Sequence, residues 1–148
     1  MVKGAQRGGI VIISFSSGTE GYEAAPVNQG TAEWGCDGID ITGADGTDIY
    51  SGSANTTDIL AGCVTSAIAA RIAGNYSLNG FNNWFLPSKD QLNELYLQRD
   101  LVGGFVSLNY WASSEIDDLN AWDIEWASGF WAVSLKSITN GVRAIRAF

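Results

Sequence analysis

Apolar residues run unbroken from Ile10 to Ile13 and close at Phe15, behind the pair Gly8-Gly9. A short apolar run bounded by glycine predicts a buried strand. From residue 16 to 56 the pattern dissolves. Gly35, Gly38, Gly43, Gly46 and Gly52 punctuate a stretch rich in Asp, Thr and Asn, which reads as ordered loop. Spacing of three and four returns at Ile59, Leu60, Cys63, Val64, Ala67, Ile68 and Ile72. It predicts a helix over 57–73, capped by Thr56 or Thr57 and stopped at Gly74-Asn75. A second helix is predicted over 89–101. Ser88 and Gln91 have capping-box spacing, Leu92, Leu95 and Tyr96 form the apolar face, and Gly103-Gly104 ends it. Trp84 is expected to pack beneath this helix.

From Tyr110 onward the period becomes that of β-structure. Strands are predicted over 110–115, 121–127, 130–136 and 142–148, separated by Asp117-Asp118, Ser128-Gly129 and Asn140-Gly141. The order is therefore strand, long loop, two helices, meander, an α+β domain with segregated elements. The first and last strands, both short and apolar, are expected to pair.

Composition narrows the chemistry. The chain has 148 residues, 8 Lys+Arg against 16 Asp+Glu, a formal net charge of −8 and no histidine. That length fits one domain, 1–148. Without histidine there is neither a Ser-His-Asp triad nor a His-ligated zinc. An acidic chain lacks the clustered Lys and Arg that phosphate backbones require, so nucleic acid is not an expected partner. The apolar run at Ile10 is too short to span a bilayer, and no signal peptide is visible.

Asp37, Asp40, Asp45 and Asp48 lie among glycines. Calcium ligation and Asx-turn chemistry both use such residues; the spacing fits no EF-hand and favours turns, so no metal is expected. Cys36 and Cys63 leave a bridge and a buried thiol both open. Glu115, Asp117, Asp118 and Asp123 are close in sequence but read as a solvated loop, and no nucleophile–base pair completes a site. No catalytic residue or cofactor is expected. Arg143 and Arg146 are expected to form salt bridges within the fold, Glu115 being a candidate partner.

Aromatic residues crowd the meander. Trp111 and Trp122 fit a buried framework, while Phe130 and Trp131 are adjacent and must point to opposite faces of a strand. At least one of them should reach solvent. Ile116, Leu119, Ile124, Phe130, Trp131, Val133, Leu135 and Ile138 are too many apolar residues for one face of a small sheet. An exposed patch with Asp117, Asp118 and Asp123 at its rim is expected, and such patches mark partner sites.

The segment Trp84-Phe85-Leu86-Pro87-Ser88-Lys89-Asp90-Gln91-Leu92-Asn93-Glu94-Leu95-Tyr96 resembles the W-F-L-P-S-x-x-E-L-x-x-L-Y signature of the Lcl C-terminal domain family, named for the C-terminal domain of a bacterial collagen-like adhesin. Gly8-Gly9-Ile10-Val11, Trp34-Gly35-Cys36, Gly43-Ala44-Asp45-Gly46-Thr47, Ala54-Asn55-Thr56-Thr57, Tyr110-Trp111-Ala112-Ser113-Ser114-Glu115 and Val142-Arg143-Ala144-Ile145-Arg146-Ala147-Phe148 resemble further steps of that family. The resemblance covers essentially the whole chain. It implies a C-type-lectin-like fold: two helices flanking a small antiparallel sheet, with the N- and C-terminal strands paired. The E-P-N motif that carries calcium-dependent sugar binding in such lectins is missing.

The chain is also similar to the variable proteins of diversity-generating retroelements, carried by phages and other mobile elements, in which substitutions scatter over a C-terminal stretch. Here that stretch is about 110–148. The resemblance implies a ligand-binding variable protein, with contacts drawn from Ile116, Asp117, Leu119, Asp123, Ile124, Glu125, Ser128, Phe130, Trp131, Val133, Leu135 and Ile138. The implied partner is a protein or other macromolecule on a target cell or host surface. The implied setting is a virion or cell surface, and oligomerisation stays open. The alternative is an adhesin domain that binds a fixed polysaccharide or cell-surface ligand; the charge of −8 counts against an anionic one.

Overall fold

A computed structural model describes residues 8–15 and 18–148. Its strands are β1 (Ile10–Ser14), β2 (Gly21–Ala24), β3 (Gly30–Glu33), β4 (Trp84–Phe85), β5 (Asn109–Glu115), β6 (Asn120–Glu125), β7 (Phe130–Leu135), β8 (Thr139–Val142) and β9 (Ile145–Ala147). Its helices are α1 (Gly52–Gly62), α2 (Ala69–Gly74), α3 (Lys89–Leu97) and α4 (Arg99–Val102). The strands form two sheets, a four-stranded one in the order β1-β2-β9-β4 and a five-stranded one in the order β3-β8-β5-β6-β7.

This architecture corrects the expected fold class. A C-type-lectin-like arrangement of one small sheet between two helices is not what the chain adopts. It is mostly β, with two sheets and short helices. The first and last strands share a sheet but do not pair, because β2 stands between them. The chain reverses right after β1, where Phe15 N–H donates to the Glu20 carbonyl, so β2 takes the first place beside β1. The strand predicted over 142–148 is two strands in two sheets. The division falls at Arg143 and Ala144, where the Ala144 N–H donates to the Gln29 side chain and its carbonyl accepts from Ala25 N–H.

The helix predicted over 57–73 is likewise two. Cys63 is bonded to Cys36, with Cα atoms 5.8 Å apart, and leaves α1 in extended conformation at φ −129° and ψ 110°. Ala67 follows at φ 61°, a left-handed turn that no helix continues through. Val64, assigned to the apolar face, is 91% exposed as a result. Thr56 is no cap: its Oγ1 donates to the Gly52 carbonyl inside α1 and accepts from Leu86 N–H. The second helix forms with its capping box intact, Ser88 Oγ accepting from Gln91 N–H and Gln91 Oε1 from Ser88 N–H. It ends at Leu97, and α4 follows after Gln98.

Two apolar clusters hold the layers together. One surrounds the disulfide and contains Trp34, Ile59, Ile68, Trp84 and Trp111. The other contains Phe85, Leu92, Leu95, Tyr110, Ile124 and Trp126 and seats α3 on the five-stranded sheet. Trp84 therefore packs with α1 and α2, edge to face with Tyr76 at 5.0 Å, and not beneath α3. Its neighbour Phe85 fills that place, since successive strand residues point to opposite faces.

Candidate recognition surface

Strands β6 and β7 form a hairpin in regular register, with Ala121 opposite Ser134, Trp122 opposite Val133, Asp123 opposite Ala132, Ile124 opposite Trp131 and Glu125 opposite Phe130. Opposed residues share a face. Trp122, Ile124, Trp131, Val133 and Leu135 therefore lie on one side, and Asp123, Glu125, Phe130 and Ala132 on the other. β7 is the outermost strand of its sheet.

The hairpin's tight turn leans on α3. Gly129, at φ 79°, lies against the Tyr96 ring, so that a Cβ there would sit 2.5 Å from ring carbons. Trp126 is buried by stacking on Phe105 and Tyr110 and edge to face with Tyr96. The turn between β5 and β6 is fixed by Asp117, whose Oδ1 accepts from the Leu119 and Asn120 N–H groups. The Leu119 bond is foremost among the contacts that hold this exposed carboxyl below the usual carboxylate range.

Beneath the turns lies an ion pair. Lys136 Nζ contacts Glu115 Oε2, and both side chains are excluded from water. Lys136 Nζ also donates to the Ile39 carbonyl, and Glu115 Oε2 accepts from Ile41 N–H. Gly38 N–H donates to the Asp118 carbonyl. One buried pair thus ties residues 38–41 to the end of β5 and to the turn that leaves β7. Burial pushes the Glu115 carboxyl up, and the bonds from Lys136 and Ile41 oppose that shift.

A second buried carboxylate sits inside the sheet. Asp123 Oδ2 accepts from Asn109 Nδ2 at 2.8 Å, Ser134 Oγ at 2.9 Å and Asn140 Nδ2 at 3.1 Å. Its Oδ1 has no hydrogen-bond partner among the described residues. Burial dominates and raises its pKa, against the three donors. These bonds lock β5, β6, β7 and the start of β8 to one another.

Of the residues expected to meet ligand, Ile116, Leu119, Phe130, Val133, Leu135 and Ile138 are exposed, Phe130 most of all at 74%. Asp117, Glu125 and Ser128 are exposed as well, and Trp131 is half-buried. Asp123 and Ile124 are fully buried and belong to the framework. Asp123 is not a rim residue, because its donors enclose it. The exposed apolar residues are also divided, Phe130 facing away from Trp131, Val133 and Leu135.

Two contributors escaped the sequence. Lys89 Nζ lies 4.1 Å from the Trp122 ring centroid and 4.7 Å from that of Trp131, and the two rings meet edge to face at 6.3 Å. Ile39 is exposed beside Asp37 and Asp40, next to the turn between β5 and β6. Both contacts join segments far apart in the chain, and no local pattern signals them.

The arginines serve the scaffold. Arg146 pairs with Glu23 at 2.9 Å, whereas Glu115 takes Lys136 and not an arginine. Arg143 is buried, donates to Asn28 Oδ1 and to the Ala25 and Gly103 carbonyls, and stacks on Phe105 at 4.0 Å. Burial lowers its pKa to about 10. The acidic loop is turn chemistry where it is bonded. Asp48 Oδ1 accepts from Ser51 Oγ and Tyr50 N–H, and both bonds lower its pKa, that of Ser51 the more. Among the described residues no three acidic or cysteine side chains converge as metal ligands. No helix among them is long and apolar enough to cross a membrane.

No protein-family model matches the chain, and no curated protein matches it. Among solved structures it is similar to a fimbrial protein from Bacteroides ovatus, with a TM-score of 0.59 at 12% identity over 84% of this chain. The chain spans 35% of that protein's length. At this identity the likeness is one of fold alone, and the fold shared is the mostly β, two-sheet arrangement described above.

Proposed function

We propose that this chain is a non-enzymatic ligand-recognition domain. It binds a macromolecular ligand, a protein on a target cell or host surface, through the hairpin β6–β7 and the turns that flank it. The observation that carries the reading is a division of labour within residues 115–140. Glu115, Asp123 and Lys136 are buried and hydrogen-bonded and Ile124 and Trp126 are packed in the core, while Ile116, Leu119, Phe130, Val133, Leu135 and Ile138 project into solvent from the frame they make. A rigid frame presenting interchangeable apolar side chains is what a diversified binding surface needs, because substitutions at the exposed positions leave the buried bonds untouched. The resemblance to retroelement variable proteins and to the Lcl C-terminal domain family points to the same interval. In this reading the described residues form one binding domain, set on a virion or cell surface.

A second reading is an adhesin domain for a fixed cell-surface polysaccharide. The half-buried rings of Trp122 and Trp131 favour it, since aromatic faces stack on sugars, and the fimbrial protein of similar fold is compatible with adhesion. Parallel arrays of purified cell-surface proteins and of glycans decide between the two. The first reading expects a protein signal that falls by about 2 kcal/mol or more in the double variant Phe130→Ala, Trp131→Ala, with the fold retained. A glycan signal with no protein signal selects the second.

A further inference from the structure

The described strands leave four sheet edges, and three are blunted. β1 carries a bulge between Val11 and Ile13, β4 is two residues long, and β3 is short, opens on Gly30 and closes on the exposed Glu33. β7 carries no such device. It is six residues, Phe130 to Leu135, with no proline, no glycine, no charge and a regular register. Long apolar edges of this kind pair with other strands unless protected.

The geometry fixes which groups are offered. Lys136 N–H donates to the Leu119 carbonyl, so this opposed pair is a hydrogen-bonded one. Antiparallel pairs alternate between bonded and non-bonded. The backbone groups of Phe130, Ala132 and Ser134 therefore face β6, and those of Trp131, Val133 and Leu135 face away from the sheet. The Leu135 carbonyl is used by Ile138 N–H, while Trp131 and Val133 make no backbone bond outside the ladder among the described residues. Their N–H and C=O groups form an open strand edge, with the Trp131, Val133 and Leu135 side chains along one face of it.

We propose that an extended segment of the partner protein, apolar on one face and bearing lysine or arginine on the other, adds to β7 as a sixth strand of the five-stranded sheet. The proposal rests on the recognition reading above and names the partner's chemistry. Charge selects the occupant. Glu125 lies opposite Phe130 at one end of β7, on the face away from Val133, and Asp117 and Asp118 lie in the turn at the other end. The only basic side chain on β6, β7 or the turns at either end of β7 is the buried, paired Lys136. A second copy of this chain would bring another net charge of −8 to the same edge. A basic strand meets attraction there and a second copy meets repulsion.

The probe is a capped peptide alternating lysine and valine. It is compared with its glutamate–valine counterpart and with a version N-methylated at the residues facing the edge. Fluorescence anisotropy reads binding, and amide exchange by NMR reads the Val133 N–H. The lysine–valine peptide is expected to bind and to slow Val133 exchange by about fivefold or more. N-methylation should weaken binding about tenfold. Val133→Pro should do the same while preserving the fold, because that N–H points outward and proline is tolerated on an edge. Should Val133→Pro not fold, the pair Val133→Lys, Leu135→Lys serves in its place and is expected to repel the lysine peptide. Equal binding of the N-methylated or the glutamate peptide overturns the proposal. So does dimerisation of the chain alone that Val133→Pro abolishes, which would make the occupant a second copy. If no peptide binds, yet a protein ligand from the arrays is lost in the Phe130→Ala, Trp131→Ala variant, strand addition falls and the recognition reading stands.

Discussion

Lys136, just past the end of β7, reaches Glu115 at the end of β5, and the same lysine holds the carbonyl of Ile39 from a loop almost a hundred residues away, at a separation of 97. A buried pair of this kind adds little when compared with a well-packed apolar one, but breaking it leaves a charge with nothing to answer it. Here it also registers the turns against residues 38–41. Lys136→Met should therefore destabilise by about 3–5 kcal/mol in urea denaturation. The double variant Glu115→Gln, Lys136→Met, which keeps an acceptor for Ile41 N–H, should recover roughly half of that loss. Equal losses in the single and double variants would mean the charge itself is not the problem.

Asp123 should leave a signature in the pH dependence of stability. Its carboxyl is raised in the folded state, so folding favours its protonated form, and this contribution fades as pH rises through the folded pKa. Glu115 acts in the same sense. Asp48 and Asp117 are lowered and act in the opposite sense, their contribution being lost as pH falls through their folded pKa values. The melting temperature should rise on acidification from neutral pH toward the ordinary carboxylate range and fall again below that range. Asp123→Asn keeps an acceptor for Asn109, Ser134 and Asn140 but cannot take up the proton, so its rise should be shallower. A profile parallel to that of the unaltered protein would show that Asp123 does not titrate between the two states.

Ser88→Ala removes the cap of α3 and, with it, the bond from Ser88 Oγ to the Asp48 carbonyl. Loss of an N-cap costs about 1 kcal/mol, and this one should lie toward the upper end of the range, about 2 kcal/mol, because the residue is buried. Ser88→Thr should restore part of it. An unchanged midpoint in Ser88→Ala would show that the Gln91 side chain suffices alone.

Reduction of Cys36–Cys63 opens a loop closed at a separation of 27 residues. The chain-entropy estimate for such a loop is about 3.5 kcal/mol. Urea midpoints with and without reductant measure it, and exchange at 63–68 should quicken first, since the bridge holds that segment out of helix.

What was legible in the sequence was local. The Ser88–Gln91 box needs four consecutive residues, and Asp117-Asp118 and Ser128-Gly129 marked the turns on either side of β6, so those boundaries could be read; Asn140-Gly141, read as a turn, lies inside β8 and pairs with β3. The strands β2 and β3, Gly-Tyr-Glu-Ala and Gly-Thr-Ala-Glu, carry too few apolar residues to alternate, and they vanished into the loop. The break after Gly62 follows from a bond to Cys36, and the break at 143–144 from a guanidinium that must reach Asn28 and Gly103. Within the candidate surface, exposure of at least one of Phe130 and Trp131 followed from strand geometry, but not which of the two. Burial of Asp123 did not, because its donors arrive from β5, β7 and β8 and no neighbour in sequence announces them.

The short strands β8 and β9 have a consequence for synthesis. β8 stands between β3 and β5, and β9 between β2 and β4, so residues 139–147 occupy interior places in both sheets. The pairs β1–β2 and β5–β6–β7 can form before them, but neither sheet is complete without them. During synthesis the five-stranded sheet cannot close before β8 is made nor the four-stranded one before β9, and until then β3 and β4 lack their partners while β2 and β5 each keep one edge open. Contacts of such long sequence separation slow folding. A stop codon or frameshift at the start of that stretch would leave both sheets without an interior strand.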